Sequence, residues 1–447
     1  MNARKPVNSP TRRDFMKLSG AALLSSSVLD RVALAAQRRV APGAFLKSDE
    51  TLKVALIGCG GRGGGAVRQA LSTKGPVKLV ALADAFQDRL DDTLKGLQGE
   101  LADKLDVPAD RRFVGFDAYQ KAIDLCDVAI LTTPPGFRPA HFEYAISKGK
   151  HVFMEKPVAT DAPGVRRVLA AAEESKKKNL KVGVGLQRHH DPGYVEVVKR
   201  VQDGAIGDLP LMRVYWCDGG VWVNARRPGQ TEMEYQMRNW YYFVWLCGDH
   251  IVEQHIHNLD VANWVKNMTP VSARGQGGRQ VRTGIDHGEI FDHHHVEFTY
   301  PDGTKLFSYC HHWPQAWSSV SEHAHGTKGY ADLSGKTITA TGGAAWRFDM
   351  PRGSEPIDPY QNEHDVLFDA IRQNKPHNEA VYGATSTMTA IFGRMASYSG
   401  REISWDDALR SNVDLMPEKL AWDAPPRSLP DAGGRYKIPM PGQAQAL

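Results

Sequence analysis

The chain has 447 residues, enough for two domains and too many for one compact core. Its 42% hydrophobic and 24% charged residues are ordinary for a globular protein. The formal net charge of +4 is held by residues 1–35, where six Lys/Arg face two Asp/Glu, so the balanced remainder gives no argument for a nucleic-acid partner. Five scattered cysteines without a C-x-x-C pair argue against a disulfide scaffold or a zinc ribbon.

Residues 1–35 read as an address. Arg12-Arg13-Asp14-Phe15 precedes an apolar run from Leu18 to Leu29, and Ala33-Leu34-Ala35 offers small residues for cleavage. A charged start, a short apolar middle and an A-x-A end define an export signal, and the paired arginines followed by Phe resemble the twin-arginine type. The run is shorter than the roughly 20 residues a spanning helix needs, so no membrane insertion is expected. The expected location is periplasmic or exported. Residues 36–50 read as a linker.

A doubly wound parallel sheet is expected over 51–187. Leu52–Ile57 is a buried-strand run, and Gly58, Gly60 and Gly63 follow it with G-x-G-x-x-G spacing. The first glycine allows a tight turn, the second a close approach to pyrophosphate, the third close helix packing. A helix from about 64 to 71 then points its N-terminal amides at phosphates. A second strand, 77–83, ends at Asp84, which lies 21 residues past Gly63, where a carboxylate binds ribose hydroxyls and repels a 2′-phosphate. NAD is therefore expected over NADP. Strands at 128–131, 150–154 and 181–186 alternate with helices near 140–147 and 163–178. Glu155-Lys156-Pro157 stands at the carboxyl end of the strand over 150–154, where open parallel sheets bind ligands.

The second domain is expected over 188–415. Between Arg213 and Trp245 stand Trp216, Trp222, Trp240, Tyr241, Tyr242 and Trp245, with Asn224, Arg226 and Arg227 among them. Aromatic faces suit the C–H faces of sugars, although core and interface packing claims many such rings. Histidines are dense at His250, His255, His257, His293–His295, His311-His312, His323 and His325. On a strand His293 and His295 share a face with Glu297, but no tight ligand spacing appears and no metal is expected. Helices within 360–400 are expected to pack back on the first domain. The tail, 416–447, is expected to wrap a partner subunit or lie loose.

Together these residues resemble the Gfo/Idh/MocA family of oxidoreductases. The resemblance rests on Val54–Gly63, Thr133-Pro134, Gly149-Lys150-His151-Val152, Glu155-Lys156-Pro157 and Val184–Arg188 leading to Asp191-Pro192, and covers about residues 51–400. It implies a Rossmann domain followed by an α/β domain with a large, mostly antiparallel open sheet that walls the active site and often joins subunits, hence a dimer or tetramer. It also implies cofactor contacts from Gly58, Gly60, Gly61, Arg62, Gly63, Asp84, Thr133, Pro134, Glu155 and Lys156. A second catalytic element is implied on a helix over Glu253–Asp260, with His257 at the family's histidine and Glu253 where Asp is usual. At i and i+4 on one helix these two share a face, so the carboxylate would orient the imidazole.

The expected roles are Lys156 polarising the substrate oxygen, His257 as acid/base and Glu253 as its orienter, with Arg188, His255 and Trp240 joining Lys156 and His257 around the substrate. Whether Lys156 or His257 takes the proton stays open. The expected function is an exported oxidoreductase moving a hydride between a sugar, glycoside or polyol carbinol and tightly bound NAD. The alternatives are an NAD-dependent redox-neutral glycosidase acting through a 3-keto intermediate, and a non-catalytic sugar-binding protein with a structural cofactor.

Overall fold

A computed structural model describes residues 50–444. The export signal and nearly all of the linker expected before them lie outside the described residues. The fold class expected above is the one observed: a six-stranded parallel sheet and a nine-stranded, mostly antiparallel sheet.

The parallel sheet is built from β1 (Leu52–Ile57), β2 (Val77–Asp84), β3 (Arg112–Val114), β4 (Val128–Leu131), β5 (His151–Met154) and β6 (Val182–Val184). Helices α1 (Gly61–Leu71), α2 (Gln87–Leu101), α3 (Ala118–Asp124), α4 (Arg138–Ser147) and α5 (Ala162–Lys177) alternate with them. The strand order is β3-β2-β1-β4-β5-β6. The central strands are near-continuous apolar runs because helices cover both faces. The order reverses between β1 and β4, so a crevice opens there at the carboxyl ends.

After α6 (Pro192–Gln202) comes β7 (Leu211–Asp218), then the helices α7 (Glu232–Arg238), α8 (Val244–Cys247), α9 (His250–Glu253) and α10 (Ile256–Lys266). Strands β8 (Ser272–Gly278), β9 (His293–Thr299), β10 (Lys305–His312), β11 (Ser319–Gly326), β12 (Gly329–Asp332), β13 (Thr337–Ala340) and β14 (Ala345–Arg347) follow. Two further helices, α11 (Pro359–Gln373) and α12 (Ala380–Ser399), precede the edge strand β15 (Ile403–Ser404). The sheet order is β14-β13-β12-β11-β7-β10-β9-β8-β15, and only the β7–β10 pair is parallel. Alternation sets its faces: Leu306, Ser308, Cys310 and His312 of β10 are buried, while Tyr309 is exposed.

Helix α12 joins the two layers. It lies against α5, α10 and β8 and is buried almost throughout. Most of its Ser and Thr hydroxyls donate to carbonyls within the helix, as Thr387 does to Gly383 O at 2.8 Å, and several tie it to neighbours: Thr387 Oγ1 accepts from Val158 N at 3.1 Å, and Ser386 donates to Asp260 at 2.7 Å. Helix α11 lies against α1. The tail, expected to wrap a partner or lie loose, docks on its own chain. Trp422 packs on Phe86 and Phe116 at 5.1 and 4.6 Å between ring centroids, and Tyr436 packs on Phe243 at 4.9 Å. These rings complete an apolar cluster, which is the physical reason the segment is held. No helix among the described residues is long and apolar enough to cross a membrane.

Candidate functional site

A cleft of about 670 Å³ runs from the glycine turn after β1, past the ends of β2, β4 and β5, to β7, α7, α9 and α10. Every expected cofactor residue lines it: Gly58, Gly60, Gly61, Arg62, Gly63, Asp84, Thr133, Pro134, Glu155 and Lys156. So do Glu253, His257 and Trp240. Arg188 and His255 are not among the lining residues.

The turn fits a dinucleotide. Gly58 has φ +96°, and a Cβ there would lie 2.6 Å from Thr133 N. A Cβ on Gly63 would meet Gly58 O at 2.0 Å, so the helix can pack this closely only on glycine. Gly60 and Gly61 face open space, and no side chain caps the first amides of α1. Those amides and the positive end of the helix suit a diphosphate. Asp84 accepts from Cys59 N at 2.6 Å and Phe86 N at 2.9 Å, which aims its carboxyl at the end of β2, and burial pushes that carboxyl's pKa up. Arg62 lines the cleft but is engaged by acids: its Nε meets Glu155 and its Nη2 lies 3.2 Å from Glu363.

At the other end Lys156 Nζ donates to the Glu253 carbonyl at 2.6 Å and to Glu253 Oε1 at 3.2 Å. Both side chains are 13% exposed. Burial pushes the Glu253 carboxyl up to about 7, although the Lys156 charge and hydrogen bond pull it down. Its Oε2 is buried and has no hydrogen-bond partner. His257 stacks on Trp216 at 5.8 Å, and its buried Nδ1 also lacks a partner. Burial first, then the charges of Lys156, Arg188 and Arg62, hold the imidazole neutral far below its ordinary range.

Three expectations are corrected. Glu253 does not orient His257, because α9 ends at Glu253 and α10 begins at Ile256, so the i, i+4 relation is broken. The freed carboxylate turns to Lys156 instead. His255, at the break, is wholly buried and bonds Ser308 Oγ at 2.8 Å under β10. Arg188 pairs with the fully buried Glu322 and stacks over Tyr194 at 5.6 Å, so it joins packed elements behind the cleft wall without lining the cleft.

Sequence reasoning missed Arg138, Gln254 and Tyr360, which also line the cleft. Arg138 is buried, donates to the Thr133 carbonyl at 2.6 Å and leaves its Nε unpartnered. Burial lowers its pKa to about 10. The only local signal was a cation just after Pro134-Pro135. The His293, His295 and Glu297 face is occupied otherwise, since Glu297 pairs with Arg274 at 3.0 Å and Lys305 at 3.1 Å.

Comparison with known proteins agrees with this geometry. Residues 52–184 match the GFO_IDH_MocA family, described as an oxidoreductase family with an NAD-binding Rossmann fold. The inositol 2-dehydrogenase of Klebsiella pneumoniae (strain 342) is 31% identical over 263 residues, 57% of this chain and 66% of that protein. That of Rhizobium meliloti (strain 1021) is 28% identical over 222 residues, 50% of this chain and 57% of that protein. The chain thus matches less than two thirds of the length of these relatives. The fold is shared with the aldose-aldose oxidoreductase from Caulobacter crescentus, at TM-score 0.61 and 19% identity over 79% of this chain and 100% of that one. It is shared too with scyllo-inositol dehydrogenase from Lactobacillus casei, solved with NAD(H) and scyllo-inositol, at TM-score 0.60 and 20% identity over 80% of this chain and 100% of that one. Residues 52–184 therefore match the NAD-binding Rossmann fold of the GFO_IDH_MocA oxidoreductase family, and the rest of the chain shares the two-sheet fold of these solved structures.

Proposed function

We propose that the protein is an NAD-dependent oxidoreductase acting on a CH–OH group of a sugar, glycoside or polyol. The observation that carries the reading is the meeting of Lys156 and His257 in one cleft continuous with the glycine turn. Gly60, Gly61 and the start of α1 would hold the pyrophosphate, Asp84 the ribose, and Thr133 and Pro134 would flank the dinucleotide at the end of β4. When bound, NAD supplies the acceptor for the electron pair and hydrogen leaving the carbinol carbon.

The chain's own residues handle the oxygen and its proton. Lys156 has two N–H donors engaged on Glu253, leaving the third to donate to the substrate oxygen and stabilise its developing negative charge. His257, neutral and with an unpartnered Nδ1, accepts the hydroxyl proton. Glu253 positions Lys156. Trp222 and Trp240, edge-to-face at 5.8 Å, offer apolar surface to a ring substrate. The inositol dehydrogenases among the relatives and the aldose oxidoreductase among the solved structures support a cyclic polyol or pyranose.

The twin arginines and apolar run of residues 1–35 support export with the cofactor already loaded. The outward face of the nine-stranded sheet, with Tyr309 exposed on β10 and Trp317 of the following loop exposed beside Tyr215, supports association between copies. Native mass spectrometry of protein purified without added nucleotide, followed by assay of inositols, aldoses and a chromogenic glycoside, tests the reading. Bound NAD(H) and NADH formation with a polyol or aldose are expected. Aglycone release without net NADH would instead select the redox-neutral glycosidase. The absence of both bound nucleotide and turnover would overturn the reading.

A further inference from the structure

Behind the cleft wall lies a second cluster of ionisable groups. Asp249 is wholly buried, caps α9 and has φ +77°. His250 follows it, and His294 reaches in from β9. One ligand atom from each of the three lies within 4.8 Å of the others. Asp249 Oδ1 is 3.3 Å from His294 Nε2 and 3.8 Å from His250 Nε2. Yet His294 Nε2 and both ring nitrogens of His250 are buried without a hydrogen-bond partner. Leaving such groups buried without partners is unfavourable.

The hydrogen bonds around the cluster settle where the lone pairs point. The Ser397 hydroxyl donates to the Arg394 carbonyl at 3.1 Å, so its oxygen accepts from His294 Nδ1–H at 2.8 Å. With Nδ1 engaged by Ser397, Nε2 of His294 faces Asp249 Oδ1 with no well-aligned hydrogen bond of its own, an arrangement that a cation held between them satisfies. Bonds of about 2.0–2.2 Å from zinc to nitrogen and oxygen set tetrahedral ligands roughly 3.4 Å apart. The observed 3.3 and 3.8 Å are close to that spacing. Outer hydrogen bonds already orient two of the three ligands, as metal sites require. Tyr398 Oη and Phe291 N hold Asp249 Oδ2 at 2.5 and 2.9 Å, and Ser397 holds His294.

We propose that Asp249, His250 and His294 bind a divalent cation of the zinc class, for which imidazole nitrogen and carboxylate oxygen are suitable ligands. His312 is the nearest further imidazole: its ring lies 4.3 Å from that of His250, its Nδ1 is unpartnered, and its Nε2 meets Gln254 Oε1 at 2.6 Å. The ion ties the start of α9 to β9. Glu253 stands at the other end of that short helix, so the metal is a positioning group that holds Glu253 against Lys156. This departs from the expectation of no metal, because ligands 44 residues apart leave no spacing signal in the sequence.

The full chain, stripped with a chelator and titrated with Co²⁺ or Zn²⁺, tests the site. A single ion per chain is expected, with the visible absorption of tetrahedral Co²⁺ and a melting temperature that falls on chelation and recovers with Zn²⁺. His250→Gln and His294→Gln should lose the Co²⁺ spectrum while retaining NAD binding. The proposal is overturned if the stripped wild type takes up neither ion, which would mean that a proton on His294 fills the gap. It is equally overturned if both variants keep the wild-type stoichiometry and spectrum. Should those variants fail to fold, the wild-type titration decides alone. Uptake is read without nucleotide or substrate, so failure here leaves the oxidoreductase reading standing.

Discussion

Two buried carboxylates each meet a cation where the two layers join, and they differ in how completely they are satisfied. Glu322, on β11, binds Arg188, the Tyr194 hydroxyl at 3.0 Å and Asn258 Nδ2 at 2.5 Å. Neither it nor Arg188 lines the cleft. Glu253 meets only Lys156, its Oε2 is left without a partner, and both side chains line the cleft. A saturated buried pair is a rigid joint, whereas an unsaturated one keeps capacity for a substrate. Ion pairing as such therefore does not single out the candidate site; the unspent hydrogen-bonding capacity beside it does.

The sharpest break of this comparison is Lys156→Met, which should lower kcat/KM about 10³-fold while NAD affinity, read by titration, changes little. Retained activity would put Lys156 on the same footing as Arg188. On the saturated side, Glu322→Ala should cost about 3–5 kcal/mol in denaturant unfolding, because Arg188 is left buried and unpaired, with kcat of the folded enzyme unchanged.

Glu253→Gln should lower kcat/KM about tenfold by loosening Lys156 and should abolish the inflection near pH 7 in its pH profile. The stability effect has a definite sign. The folded carboxyl keeps its proton up to about 7, above its unfolded range, so its contribution favours folding at low pH and is lost as pH rises through about 7. Wild type minus variant stability, followed by thermal unfolding across that window, should therefore fall with rising pH. The smallest effect is expected at the far end of the cleft, where Asp84→Ser should narrow the preference for NAD over NADP by about threefold in relative Kd.

The glycine turn and its strands were legible because the information is local. Leu52–Ile57 needs only an apolar run, Gly58 and Gly63 only the absence of a Cβ, and Asp84 only its distance along the chain. The helix over 253–260 was misjudged for the opposite reason. Nothing in Glu253-Gln254-His255-Ile256 announces the break between α9 and α10, since neither Gly nor Pro stands there. Arg188 looked like a substrate residue beside Asp191-Pro192 until Glu322, 134 residues away, claimed it.

By itself, then, the order of residues determined the parallel sheet, the dinucleotide cradle and the delivery of Lys156 to a strand end, because strand runs, tight turns and helix starts are decided by neighbours along the chain. Only the tertiary structure decided that Glu253 serves Lys156 rather than His257, that His255 and Arg188 are spent on packing, and that Asp249, His250 and His294 converge. Those outcomes depend on which buried polar groups find partners across the fold, and that is settled by distant segments meeting.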